Sequence, residues 1–262
     1  MPEPIIFYDI PSKDLSPKAW SPNTWKTRFC LNFKGLPYKT VWVEYPDIEP
    51  VLRKLGVRPV VKNADGTPYY TVPAIYDPNT QTALAESSAI ARYLDRAYPD
   101  TPRLIPAETD ALHAAFDDAL HAAILDGIAR AMLHETAKHL HPRSEAHFKR
   151  SREAAFNVKD LAELAPPGPK RDEAWAAVKR GLSTFAGWMR ADGSDKLFFL
   201  GEDRIAYADI TIAGWLIWVR IVLGKESREW ADLMAWDGGR WARFMAAFEK
   251  YEKVDGGEHV VV

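Results

Sequence analysis

From Pro4 to about Tyr98 the apolar positions switch repeatedly between a period of two and a period of about 3.6, the signatures of strand and helix. Ile5-Ile6-Phe7-Tyr8 is a short apolar run, and Tyr38 to Tyr45 is rich in Val, Thr and aromatic residues, so both predict strands. Between them Trp25, Phe29 and Phe33 recur at four-residue spacing and Gly35 follows, which predicts a helix with its stop signal. A strand, a helix and a strand of these lengths suit a parallel crossover. Asp65-Gly66-Thr67-Pro68 reads as a turn, Tyr70 to Tyr76 as a third strand and Pro78-Asn79 as a second turn. Gln81 to Leu84 then pairs back as a hairpin. From Ser88 to Tyr98, residues Ile90, Tyr93, Leu94 and Ala97 share one helical face, and Pro99 ends the segment.

The pattern changes after Asp100 to Pro106, a proline-containing stretch with few apolar residues. Beyond it helices are expected over His113 to Leu133, Glu145 to Leu164, Arg171 to Arg190, Asp209 to Leu223 and Arg240 to Tyr251. Pro142, Pro166-Pro167-Gly168-Pro169, Asp192-Gly193 and Gly238-Gly239 separate them. No internal repeat of fixed period is visible. The expected organisation is an α/β domain over residues 1–99, a linker over 100–107 and an all-helical domain over 108–262.

Composition narrows the function classes. A chain of 262 residues, 47% hydrophobic and 12% aromatic, can bury one large core or two modest ones. The net charge is −2, and residues 1–99 carry 12 basic against 10 acidic side chains. Neither half has the basic excess of a phosphate-tracking surface, so no nucleic-acid partner is expected. The lone cysteine, Cys30, precludes an internal disulfide and fits a reducing compartment. No apolar run approaches the roughly 20 residues that span a bilayer, and Met1-Pro2-Glu3-Pro4 lacks a basic leader. The expectation is a soluble cytoplasmic protein without a membrane partner.

Two motifs carry candidate chemistry. Pro73 interrupts a strand-like run and cannot donate to a ladder, so it lies at an edge, at a bulge or in a cis bond. In the last case the N–H and C=O of Val72 are free to pair with an extended peptide. Glu86-Ser87-Ser88 opens a helix, whose free N–H groups and partial positive charge suit a carboxylate, while Glu86 suits an ammonium. An ordinary edge-strand proline and a plain helix cap at Ser87 explain each half separately.

In combination, the strand-helix-strand start, Val72-Pro73, the hairpin, Glu86-Ser87, the proline linker and the helical second half resemble a cytosolic glutathione transferase over essentially the whole chain. Trp20-Ser21-Pro22-Asn23-Thr24-Trp25-Lys26-Thr27-Arg28 is most similar to the fungal, etherase-related serine-type members. The resemblance implies a thioredoxin-like first domain with cis-Pro73, with Val72 pairing to the cysteinyl backbone of glutathione. Glu86 and Ser87 would hold the γ-glutamyl end. It also implies a homodimer, a role in detoxification, and a hydrophobic co-substrate site on the helical domain.

The thiol-activating group of this family lies between the first strand and first helix, where Ser12, Ser16, Ser21, Asn23 and Thr24 are available and Tyr8 is still on the strand. Ser21 is the expected catalytic residue, because Pro22 is well placed as the first helical residue, with Asn23 as a second donor. Ser16-Pro17 shows the same dipeptide. Cys30 falls within the helix, where single cysteines are usually small buried hydrophobes.

Arg53, Lys54 and Lys62 are unranked candidates for the glycyl carboxylate of glutathione. His134-Glu135 begins like a zinc-protease helix, but His139 is not four residues beyond His134, so no metal is expected. No phosphate-binding glycine motif is present. Trp175, Trp188, Trp215, Trp218 and Trp241 are expected in helical cores, with one or two free to line an acceptor pocket. Asp209 resembles the family's capping acid in a core helix, but Ala206 replaces the usual hydroxyl residue, so Asp209 should find another backbone donor.

The expected activity is transfer of the glutathione thiol to an electrophilic apolar or aromatic co-substrate. The alternatives are a ligandin-type binder of hydrophobic or phenolic small molecules, and glutathione-dependent ether cleavage.

Overall fold

The computed structural model describes residues 2–59, 61–62 and 66–260. Strand β1 (Ile5–Asp9), helix α1 (Pro22–Lys34) and strand β2 (Tyr38–Trp42) form the expected crossover, with β1 and β2 parallel. Gly35 ends α1 in the left-handed region at φ 66°, returning its N–H to the carbonyl of Asn32. β5 (Ala74–Asp77) and β6 (Thr82–Ala85) are the expected hairpin, β5 running antiparallel to β1. α3 (Ser87–Ala97) follows directly.

Several boundaries differ from the sequence pattern. The strand expected from Tyr70 starts only at Ala74, because Pro73 has no N–H for the ladder. β2 stops at Trp42, and Pro46 helps turn Tyr45–Asp47 into a 3-10 segment. The stretch holding Arg53 and Lys54, read as irregular, contains α2 (Ile48–Lys54), which buries Ile48 and Leu52 four residues apart. Val61–Lys62 (β3) and Pro68–Tyr69 (β4) pair separately, and the Asp65 end of the expected turn lies outside the described residues.

The helical half consists of α4 (Asp110–Ala137), α5 (Pro142–Phe156), α6 (Pro169–Trp188), α7 (Tyr207–Leu223) and α8 (Arg228–Phe248). α5 ends at Asn157, φ 52°, well before the expected Leu164. α8 begins a dozen residues earlier than Arg240, capped by the Ser227 hydroxyl, and bends at Trp236–Gly239. Trp175, Trp215, Trp218 and Trp241 are buried, whereas Trp188 is half exposed. Asp209 finds the second donor that the missing cap demanded: its carboxylate accepts from the N–H of Ala206 at 2.9 Å and of Phe199 at 2.8 Å.

The described residues beyond Tyr251 are not helical. Beyond Tyr251 the chain returns to the first domain, and β7 (Glu258–His259) adds a parallel strand beside β2, giving the order β6-β5-β1-β2-β7. Gly257 makes this approach possible: at φ 64°, a Cβ there would fall 2.2 Å from the indole nitrogen of Trp42. α1 is thus covered by the sheet on one side and by α7 on the other, where Gly214 lets the Pro22 carbonyl and the Lys26 stem come close.

Candidate active site

A cavity of about 610 Å³ opens between the two halves, lined by residues of α1, the Thr71–Pro73 segment, the start of α3, α4 and α5. It brings together Ser21, Asn23, Val72, Pro73, Glu86 and Ser87, which lie far apart in the chain. The Val72–Pro73 bond is cis, as is Ser16–Pro17. No described residue bonds to the backbone N–H or C=O of Val72, while the Pro73 carbonyl accepts from the N–H of Glu86 at 3.2 Å. That bond joins the proline segment to the helix start.

Glu86, not Ser87, is the N-cap of α3. It has φ 81°, an uncommon conformation for a non-glycine residue. Its carboxylate accepts from the N–H of Ser88 and of Ala89, both at 3.0 Å, from the Ser88 hydroxyl at 2.7 Å and from the Ser87 hydroxyl at 3.3 Å. Burial opposes ionisation, but these donors and the nearby Lys26 outweigh it and hold the pKa of Glu86 below its ordinary value. With the carboxylate turned onto its own helix, Ser87 at the first helical position keeps an N–H to which no described residue bonds.

Ser21 is the N-cap of α1, yet its hydroxyl makes no capping bond; its carbonyl takes the N–H of Trp25 and the Thr24 hydroxyl instead. The residue is 6% exposed and lines the cavity. With Pro22 lacking an N–H, the N–H groups of Asn23 and Thr24 are the free donors of this helix start, and no described residue accepts from them. Asn23 is exposed at the cavity edge.

The other loop candidates are placed elsewhere. Pro11 and Ala19 bridge the base of the loop, the Ser12 hydroxyl donates to the Lys18 carbonyl at 3.0 Å, and Ser16 is exposed at the far end. Tyr8 is buried in the sheet opposite Ala74, and burial pushes its phenol pKa up. Cys30 is fully buried, which pushes its thiol pKa up, and lines no part of the cavity.

Among the polar side chains that reach the cavity without having been singled out in the sequence are Lys26 on α1, Asp117 and His121 on α4, and His147, Ser151 and Arg152 on α5. Arg152 stacks over Phe148 at 4.4 Å and Tyr45 at 5.1 Å. Arg53, Lys54 and Lys62 do not line it, and Arg53 is engaged by Glu49 at 2.8 Å. His134 and His139 face separate partners, Asp160 at 3.9 Å and Asp14 at 2.8 Å.

A second, more apolar cavity of about 480 Å³ adjoins the first, sharing Ser21, Asn23, Tyr45 and Arg152. Its walls are Trp20, Phe148, Phe156, Leu133, Trp215 and Trp218.

The thioredoxin-like sheet, the helical second half and the cavity between them define a glutathione S-transferase fold. Residues 20–97 match the glutathione S-transferase N-terminal domain and residues 111–251 the C-terminal domain. A glutathione S-transferase-like protein of Aspergillus flavus is 31% identical, covering 97% of this chain and 93% of that protein. The crystal structure of a glutathione S-transferase of Ceriporiopsis subvermispora, in complex with glutathione, superposes with a TM-score of 0.94 at 54% identity, covering 97% of this chain and 100% of that one. For a glutathione transferase of Phanerochaete chrysosporium the values are 0.92 and 43%, with the same coverage. The chain belongs to the glutathione S-transferase family. Among the described residues no helix is long and apolar enough to cross a membrane.

Proposed function

We propose that this transferase binds glutathione in the larger cavity, activates its thiol with Ser21, and presents it to an apolar or aromatic electrophile in the adjoining cavity. The observation that carries the reading is the uncapped Ser21 hydroxyl at the junction of the two cavities, over a helix start with free N–H groups. Glutathione as the first substrate is supported by the complex of the Ceriporiopsis relative. Val72 offers its unpaired backbone to the cysteinyl residue, Pro73 shapes that edge, and the Ser87 N–H and hydroxyl suit the γ-glutamyl carboxylate, with Glu86 fixing the helix start.

The energetics are adequate. A free thiol of pKa about 8.5 is a few per cent ionised at neutral pH, and each unit of depression needs about 1.4 kcal/mol of differential stabilisation. One hydrogen bond to the charged sulfur, about 1.5–3 kcal/mol, plus a helix-terminus contribution of up to about 1 kcal/mol, lowers it by about two units. In this reading Asn23, exposed at the cavity edge, serves as an auxiliary donor.

A panel of electrophiles in steady-state conjugation tests this reading. Turnover that is lost in Ser21→Ala supports it, and undiminished turnover removes Ser21 from the role. The aromatic walls of the second cavity favour a further reading as a binder of hydrophobic or phenolic molecules. Tight binding of such ligands without turnover would select it, whereas release of a free phenol from an aryl ether would select glutathione-dependent ether cleavage. The enzyme is further proposed to be a cytoplasmic homodimer, which light scattering of the purified protein and microscopy of the tagged protein check.

A further inference from the structure

Two polar atoms in the larger cavity have no role in thiol activation. Lys26 follows Pro22 by one turn of α1 and is 2% exposed, yet its Nζ makes no hydrogen bond or ion pair with any described residue. Its stem rests against Gly214, and its ammonium lies 5.2 Å from the centre of the Trp215 ring. Asp117, from α4, presents a buried Oδ1 that likewise has no hydrogen-bond partner. Both side chains line the same cavity as Ser87, and they do not pair with each other.

Buried charges left unpaired are unfavourable, and proteins retain them where a ligand completes them. Here the two are of opposite sign, are not paired with each other, and share one cavity with a helix start that has a free N–H. A zwitterionic head group has the matching chemistry: its carboxylate suits Lys26 Nζ with the Ser87 N–H, and its ammonium suits Asp117. Glu86 contributes negative charge nearby, but its oxygens are already occupied by Ser87, Ser88 and Ala89.

Resting on the glutathione reading above, we infer that Lys26 and Asp117 recognise the amino-acid head of the γ-glutamyl residue, Lys26 the carboxylate and Asp117 the ammonium. This moves recognition of the ammonium from Glu86, where the sequence suggested it, to a residue of the helical half. It also makes the head-group site depend on both halves of the chain.

Isothermal titration of the intact protein tests the pairing, with glutathione, 4-aminobutyryl-Cys-Gly, which lacks the carboxylate, and glutaryl-Cys-Gly, which lacks the amine. The wild type should bind each analogue about tenfold or more weakly than glutathione. In Lys26→Met the penalty for losing the carboxylate should shrink to within about twofold while the amine penalty persists, and Asp117→Asn should do the reverse. Lys26→Gln serves as a second variant if the methionine protein does not fold. Undiminished discrimination in the variants, or a wild type that binds all three peptides alike, overturns the inference and leaves the transferase reading standing. A wild type without affinity for glutathione overturns both.

Discussion

Lys26 and Arg28 stand two residues apart on α1 and leave it on different faces, and both are almost completely buried. Arg28 is surrounded by acceptors: the Asp9 carboxylate at 2.7 Å, the Tyr38 hydroxyl at 3.1 Å, the Thr40 hydroxyl at 3.2 Å and Asp255 at 3.4 Å. Burial disfavours its charge, but Asp9 and Tyr38 outweigh that and hold its pKa above the ordinary value. Lys26 has only an aromatic face, and burial leaves its pKa lowered despite Asp117 and Glu86. A buried charge completed by the protein binds the fold together, and one left incomplete in a cavity marks where a ligand belongs. Arg28 performs the first task literally, since Asp255 also accepts from the N–H and hydroxyl of Thr40 and so fastens the C-terminal tail to the sheet.

The sharpest way to break this contrast is to remove the carboxylate partner of Arg28 in one variant and the ammonium of Lys26 in another. Asp9→Ala should lower the unfolding free energy by about 3–5 kcal/mol, because it removes the shorter of Arg28's two carboxylate contacts, the one in which both side chains are fully buried. Lys26→Met should change it by no more than about 1 kcal/mol, since no hydrogen bond is lost. Equal losses in urea denaturation would erase the distinction.

Asp209 on α7 is an intermediate case, satisfied by two N–H donors but by no cation. Burial raises its pKa from 3.8 to about 7, against the opposing effect of those donors. The folded state therefore binds a proton that the unfolded state has released over that interval, so its contribution to stability falls as pH rises from about 4 to about 7, at up to about 1.4 kcal/mol per unit. The stability of the wild type relative to Asp209→Asn should decline across that range in thermal melts, and a flat difference would show that Asp209 ionises normally.

Ser21→Ala probes the ligand side of the contrast. It should lower kcat/KM by about 1.5–3 kcal/mol of transition-state stabilisation while leaving the melting temperature unchanged, because the hydroxyl caps nothing. Ser227→Ala is its structural counterpart, expected to cost about 1 kcal/mol of stability without touching turnover, because that hydroxyl does accept from the N–H of Trp230. A stability loss in the first variant or an activity loss in the second would reverse their assignments.

Legibility in the sequence tracked how local each feature is. The stripe of Trp25, Phe29 and Phe33, with Gly35 behind it, specifies α1 within a dozen residues, and the Pro73 and Glu86-Ser87 signals likewise rest on near neighbours. α2 was missed because its buried stripe is only Ile48 and Leu52. The first half of α8 was missed although Ser227 and Trp230 give a cap signal, because the Gly238-Gly239 break drew the boundary there. β7 has two residues and no pattern of its own; it is a strand only because β2 lies alongside.

The candidate site divides in the same way. Periodicity, proline and capping chemistry along the chain sufficed for the crossover, the hairpin and the helical second half, because those depend on propensities and on apolar residues one turn or one pleat apart. They also sufficed to nominate Ser21, Val72, Pro73, Glu86 and Ser87. Only the tertiary structure decided that Ser16 points away, that Glu86 spends its oxygens on its own helix, and that Lys26, Asp117 and Arg152 enter the cavity from three helices. The reason is physical: whether a charge is paired or free depends on which distant groups packing brings within a few ångströms, and a Lys two residues from an Arg on one helix carries no mark of that difference.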